Sequence, residues 1–182
     1  LAGPDIIPGG VYVTPQLGET ILADLRLDTL YTGVNTIDRL RHLVRINIDR
    51  GAKVIKTRGT ERAGTAETDP RQQVYNYKEL KAIVDEAAKY NVPVMVHAHG
   101  DEGARAAVQA GAKSIEHGTF LTDSTLMLMK KSGTYLVPTY ITLEDLLQPG
   151  GDYTGPVLEL RAKFMMPQAE KVFRKALALG IP

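Results

Sequence analysis

The sequence predicts an α/β fold, with a mainly parallel sheet covered by helices. Helical periodicity and short apolar runs alternate along the chain, and a Gly or Asn follows almost every helical stretch. Composition sets the class: 182 residues, 43% hydrophobic and 24% charged, are enough for one globular domain, residues 1–182, with a real core.

Gly10-Val11-Tyr12-Val13-Thr14 reads as a first strand. Residues 36–50 place Ile37, Leu40, Val44 and Ile48 at helical spacing, and Gly51 ends the helix. Ala52-Lys53-Val54-Ile55-Lys56-Thr57 is the next strand. Residues 77–90 repeat the helical pattern with Leu80, Ile83, Val84 and Ala87. Asn76 is placed to cap that helix, with Glu79 completing a capping box, and Asn91 stops it. Val94-Met95-Val96-His97 follows as a strand. Helix 101–110 runs to Gly111 and precedes the strand Ser114-Ile115-Glu116-His117. Helix 123–132 runs to Gly133 and precedes Tyr135-Leu136-Val137-Pro138. A last helix, 157–179, ends at Gly180, and a further strand is expected from Pro182. On pattern alone a doubly wound sheet and a barrel both stay open. No GxGxxG or GxxxxGK[ST] fingerprint follows a strand, which weakens nucleotide-binding readings.

Composition also limits partners and cofactors. A formal net charge of +1 gives no reason to expect nucleic acid or an acidic membrane. The absence of cysteine excludes disulfides and thiolate metal sites, leaves a His/carboxylate site open, and does not fix the compartment. No apolar run approaches the length of a membrane span. The chain begins Leu-Ala-Gly-Pro without an initiator Met, so it reads as a piece whose targeting segment, if any, lies elsewhere.

Three of the four histidines sit at strand ends. Alternation puts Met95, His97 and His99 on one face, and likewise predicts that Ile115, His117 and Thr119 share one. Neighbouring strands would then bring imidazoles together, and imidazole is a common metal ligand. Lys56 closes another strand. A lysine buried there must be paired, neutralised or turned to solvent. As a neutral amine it could add carbon dioxide to give a carbamate that bridges two cations; as a cation it could form a salt bridge. Lys53, at the strand start, is expected to reach solvent. The long polar stretches 58–75 and 142–156 lie beyond strand ends, where functional loops are common, and each could equally be a surface excursion. Arg58, Arg62 and Arg71 in the first could attract a substrate carboxylate, or be solvated.

The stretches Gly51-Ala52-Lys53-Val54-Ile55-Lys56, Val94-Met95-Val96-His97-Ala98-His99-Gly100 and Ala110-Gly111-Ala112-Lys113-Ser114-Ile115-Glu116-His117-Gly118 resemble the metal-dependent amidohydrolase superfamily. The nearest branch is that of the imidazolonepropionase-related hydrolases, which includes prolidase-like Xaa-Pro dipeptidases. Residues 9–15 resemble that branch's third barrel strand and residues 136–139 its seventh, so the likeness spans nearly the whole chain in order. It implies a partial (β/α)8 TIM-type barrel, roughly strands 3 to 7, without strands 1, 2 and 8 or the β-sandwich domain. It implies a divalent metal, zinc being the expected ion, with two ions in the complete protein. Lys56 matches the carbamylated bridging lysine, and His97 and His117 match metal ligands. His99 matches a position near substrate, and Arg58 is carried as a second substrate-binding candidate. The implied reaction is hydrolysis of an amide, in a peptide such as an Xaa-Pro dipeptide or in a cyclic amide, by metal-activated water.

The chain departs from that pattern in lacking the His-x-His pair of the first strand and the Asp of the eighth. His42, the earliest histidine, falls on a helix and reads as a surface or packing residue. The chain alone is therefore expected to be inactive. Two other readings stay open. One is a metal-free barrel enzyme using Lys56 as a Schiff-base or general-base lysine. The other is a non-catalytic partial barrel that buries its exposed edges by oligomerising.

Overall fold

Helix ends were the most legible features, and they position everything else. In the computed structural model, which describes residues 3, 5–17, 27, 30, 33–148 and 155–182, α1 spans Ile37–Asp49 and Thr36 caps it. α2 spans Tyr77–Ala88, and Asn76 and Glu79 form the expected reciprocal capping box. α3 (Asp101–Ala110) and α4 (Asp123–Ser132) end on Gly111 and Gly133, both left-handed as such caps require. α6 (Pro156–Leu179) ends the same way at Gly180 and carries Pro167 inside it. The strands are β1 (Ile55–Arg58), β2 (Val94–Ala98), β3 (Ser114–His117) and β4 (Tyr135–Val137). They form one parallel sheet in the order β1-β2-β3-β4. The carbonyl of Pro182 accepts from the Leu136 amide at 2.9 Å, so the last residues run beside β4.

Two elements differ from expectation. The stretch 10–14 pairs with the sheet at one point, a parallel bridge between Val13 and Thr57. Both backbone groups of Val11 are taken instead by a side chain. The Asn47 amide accepts from the Val11 amide and donates to the Val11 carbonyl, each at 2.8 Å, as a neighbouring strand would. A fully buried asparagine on α1 thus substitutes for a ladder. A short helix, α5 (Ile141–Asp145), occupies part of the second long loop, and residues 149–154 of that loop, including Pro149-Gly150-Gly151, lie outside the described residues.

In-register parallel pairing decides which side chains share a face. Ile55, Val96 and Ile115 are wholly buried in the main core, against Leu40 of α1, Leu80 and Ile83 of α2, Ala107 of α3 and Leu126 of α4. Alternation sends Lys56, Met95, His97, Ser114 and Glu116 to the opposite face. A second, smaller core joins Leu143 and Leu146 to Leu158, Ala162, Met165 and Ala169 of α6, with Ala63 inserted from the loop after β1. The other half of α6, through Val172 and Ala176, packs into the main core.

That loop is pinched at its base. Thr60 and Gln73 form an antiparallel bridge, and the Val74 amide donates to the Gly59 carbonyl at 2.8 Å. Gly59 rests against Gly103 of α3: a Cβ on Gly103 would lie 2.4 Å from the Gly59 carbonyl oxygen. Only backbone against backbone fits there.

Candidate metal centre

Three imidazoles meet at the carboxyl ends of β2 and β3. Ligand-capable nitrogens of His97, His99 and His117 all lie within 4.8 Å of one another. Ring centroids are 4.9 Å apart for His97–His99, 4.6 Å for His97–His117 and 4.5 Å for His99–His117. His97 and His99 arrive by alternation, as the sequence predicts.

His117 does not. It pairs in register with Ala98, whose side chain is buried in the main core, and it follows Ile115, which is buried there too. Simple alternation would turn its ring toward the helices. Instead His117 adopts a left-handed backbone, φ 77°, and the ring lies against His97 and His99. The expectation that Ile115 and His117 share a face is therefore corrected. A non-glycine residue at positive φ is uncommon, and such strain concentrates at functional sites.

Hydrogen bonds decide which nitrogens are free. His97 Nε2 lies 3.0 Å from the Glu61 carbonyl oxygen, which can only accept. Nε2 therefore carries the proton and Nδ1 keeps its lone pair. Thr139 donates its hydroxyl to the Pro138 carbonyl at 2.9 Å, so its oxygen accepts from His117 Nδ1–H. That leaves the lone pair of His117 on Nε2. His99 Nδ1 lies 2.8 Å from the Thr119 hydroxyl. Each ring is held by an outer partner, the arrangement that orients metal-binding histidines.

Electrostatics act in the same sense. Burial lowers the His97 pKa to about 4 and the His117 pKa to about 3, and holds His99 well below the ordinary range. Neutral imidazole is the ligating form. Lys56 stands close enough for its charge to act on both His97 and His117. Burial lowers the Lys56 pKa, and the Glu116 carboxylate opposes that. Glu116 is buried on the same face and accepts from the Ser114 hydroxyl at 2.6 Å. Sequence reasoning passed over Glu116, although alternation from Ile115 would have placed it opposite the core. It named Thr119 and Thr139 only as members of their strand patterns and missed that their hydroxyls meet His99 and His117.

The donor set suits a divalent cation: neutral imidazoles with oriented lone pairs, beside an amine whose cationic form is disfavoured. A cavity of about 290 Å³ adjoins the histidines and is lined also by residues 62–65, Thr142, Leu143 and Leu146. Arg58, the last residue of β1, and Arg62 and Arg71 of the loop beyond it separate. Arg62 lines this cavity and lies 5.5 Å from the Tyr12 ring centroid. Arg58 pairs with Glu61 at 3.0 Å and faces an adjoining cleft beside Tyr12. Arg71 pairs with Asp69 at the surface. Lys53 is exposed, as expected.

Comparison with known proteins decides the family. A model of the amidohydrolase family matches residues 8–174. The chain belongs to the amidohydrolase family. This amidohydrolase chain is 35% identical over 147 residues to ochratoxinase from Aspergillus niger, covering 80% of the chain and 30% of ochratoxinase. The crystal structure of that ochratoxinase superposes with a TM-score of 0.73 at 32% identity, over 80% of this chain and 33% of the other. A Xaa-Pro dipeptidase with methionine bound in its active site matches with a TM-score of 0.81 at 29% identity, over 100% of this chain and 47% of the other. A prolidase in complex with N-methylphosphonate-L-proline matches with a TM-score of 0.75 at 27% identity, over 81% and 36%. The chain thus spans about a third of the length of its curated relative. Among the described residues, no helix is long and apolar enough to cross a membrane.

Proposed function

We propose that the chain supplies one side of the active centre of a metal-dependent hydrolase of amide bonds. The three-histidine cluster beside Lys56, at the mouth of a parallel sheet, is the observation that carries this reading. On this reading the chain is a partial (β/α)8 barrel, roughly strands 3 to 7. Lys56, as its carbamate, and His97 and His117 are the residues that would hold divalent metal, zinc by preference and two ions in the complete protein. Such metal supplies Lewis acidity for the attack of water on a carbonyl.

The chain's own groups do the rest. His97 would offer Nδ1 and His117 Nε2, because Glu61 and Thr139 occupy the other nitrogens. Burial disfavours the ammonium form of Lys56 and so favours the amine that takes up carbon dioxide. His99 faces the cavity and would contact substrate, with its orientation set by Thr119. Residues 62–65 and Leu143 would shield the reacting amide from water. Arg58 and Arg62 are the candidates for a substrate carboxylate. A short peptide such as an Xaa-Pro dipeptide, an N-acyl amino acid or a cyclic amide fits this chemistry. The chain by itself, with these groups alone, would be inactive.

The close grouping of His99 with the other two favours a second reading, in which His99 is itself a ligand and the ion is single. Metal analysis separates the two. In the full-length protein, His97→Ala should lose metal and hydrolysis of dipeptides, while His99→Ala keeps metal and loses turnover or substrate affinity. Metal loss in His99→Ala would favour the single-ion reading. Full metal in His97→Ala would refute the assignment.

A further inference from the structure

We propose that Arg161 is a positioning residue that clamps the loop after β1 in place as a wall of the histidine cavity. The proposal rests on the hydrolase reading for its catalytic consequence, but not for the clamp itself.

Arg161 lies on α6, more than ninety residues after that loop, and its guanidinium donates to backbone carbonyls of the loop. Nη1 donates to the carbonyls of Ala63 at 2.6 Å and Thr65 at 2.8 Å. Nη2 donates to the carbonyls of Ala66 at 3.1 Å and Thr68 at 2.6 Å. Each terminal nitrogen carries two hydrogens, so all of them are used, one per carbonyl. Four carbonyls turned toward one point repel each other unless a cation neutralises them. The guanidinium offsets that repulsion, and the Thr68 hydroxyl, 3.0 Å from the Arg62 carbonyl oxygen and 3.1 Å from that of Thr65, shares in holding the curl. No other side chain has that geometry: a lysine brings three donors on one atom and cannot span a planar fork.

The loop so held matters to the site because residues 62–65 line the histidine cavity together with Leu143 and Leu146. Glu61, whose carbonyl faces His97, is tied separately to the pinched base of the loop, where its amide donates to the Gln72 carbonyl at 3.0 Å. Ala63 supplies an apolar peg into the small core beneath, against α6 residues that flank Arg161 in sequence: Leu158, Ala162 and Met165. The distal half of α6 is seated in the main core through Val172 and Ala176. One helix thus references the cavity wall to the rigid part of the molecule. Loops that close over reacting groups commonly need such an anchor.

The full-length protein, prepared as wild type, Arg161→Met and Arg161→Lys, tests this by amide hydrogen exchange and kinetics. Methionine keeps the apolar stem and removes every donor. In Arg161→Met, exchange over residues 61–69 should rise about tenfold or more while β2 and β3 keep wild-type protection. Arg161→Lys should show a smaller rise, and serves alone if the methionine variant does not fold. With an Xaa-Pro dipeptide as probe, KM should rise about tenfold and kcat fall by less than about threefold, with zinc content unchanged. Unaltered exchange at 61–69, or a rise spread evenly over the whole chain, would overturn the clamp. A kcat loss with KM unchanged would overturn the wall. If the wild type hydrolyses no amide, the hydrolase reading fails, and the exchange result still decides whether Arg161 holds the loop.

Discussion

Mild acid should destabilise the metal-free protein through its histidine cluster. His97 and His117 have folded pKa values lowered to about 4 and about 3, because burial disfavours the cation. In the unfolded chain both return to about 6.5. Their folded values are depressed, so the unfolded state binds protons first. Their stabilising contribution is present above pH 6.5 and is lost as pH falls through the window down to the folded values. Between pH 7 and pH 5 both stay neutral in the folded state, and the cost is set almost wholly by the unfolded value. Linkage then gives about 1.8 kcal/mol for each histidine, or about 4 kcal/mol for the pair. His99 acts in the same direction. Against a typical stability of about 5–15 kcal/mol this is a large loss. The carboxylates of Asp69, Glu86 and Asp101 have lowered pKa values, so their contribution is lost only as pH falls through their unfolded values of about 4, below the range from pH 7 to pH 5. Urea unfolding in EDTA at pH 7, 6 and 5, followed by circular dichroism, measures the effect. A double His97→Asn, His117→Asn variant should lose most of the slope. Equal slopes in wild type and variant, or no decline at all, would refute the reasoning.

Other predictions follow from single contacts. Lys56→Ala in the full-length protein should lose metal and most hydrolysis, with partial rescue by bicarbonate plus a short-chain acid, whereas Lys53→Ala should be nearly silent; metal analysis and rates on the same preparations decide, and equal effects would sink the assignment. Gly103→Ala should destabilise by about 2 kcal/mol, because its methyl would meet the Gly59 carbonyl; a shift in the urea midpoint worth less than about 0.5 kcal/mol would show that the loop yields there.

Local signals were readable and long-range ones were not. Asn76 with Glu79, and glycines at 111, 133 and 180, fix helix ends through contacts within a few residues, and all stand where the pattern put them. The run Val94–His97 and its alternation correctly place two of the three rings. The rest depended on partners remote in sequence. The stretch 10–14 alternates like a strand, yet Asn47, on a helix more than thirty residues away, takes both hydrogen bonds of Val11. Arg161 reads as an ordinary helix-surface cation until its carbonyl partners, over ninety residues earlier, come into view. His117 was recognised as a site residue for a geometric reason that does not hold, since its backbone, not its alternation, brings it in.

The left-handed turn at His117 continues at Gly118, φ 64°, so β3 stops at the residue that joins the cluster. Cluster residue and strand terminus are the same position. Extending the strand by one residue would not carry the imidazole higher up the sheet; it would restore ordinary alternation and swing the ring into the helix layer. Anyone grafting this centre onto another parallel sheet would have to transplant the backbone conformation of two consecutive residues along with the side chains. A graft that copies only the three histidines onto ideal strands would assemble two rings and bury the third.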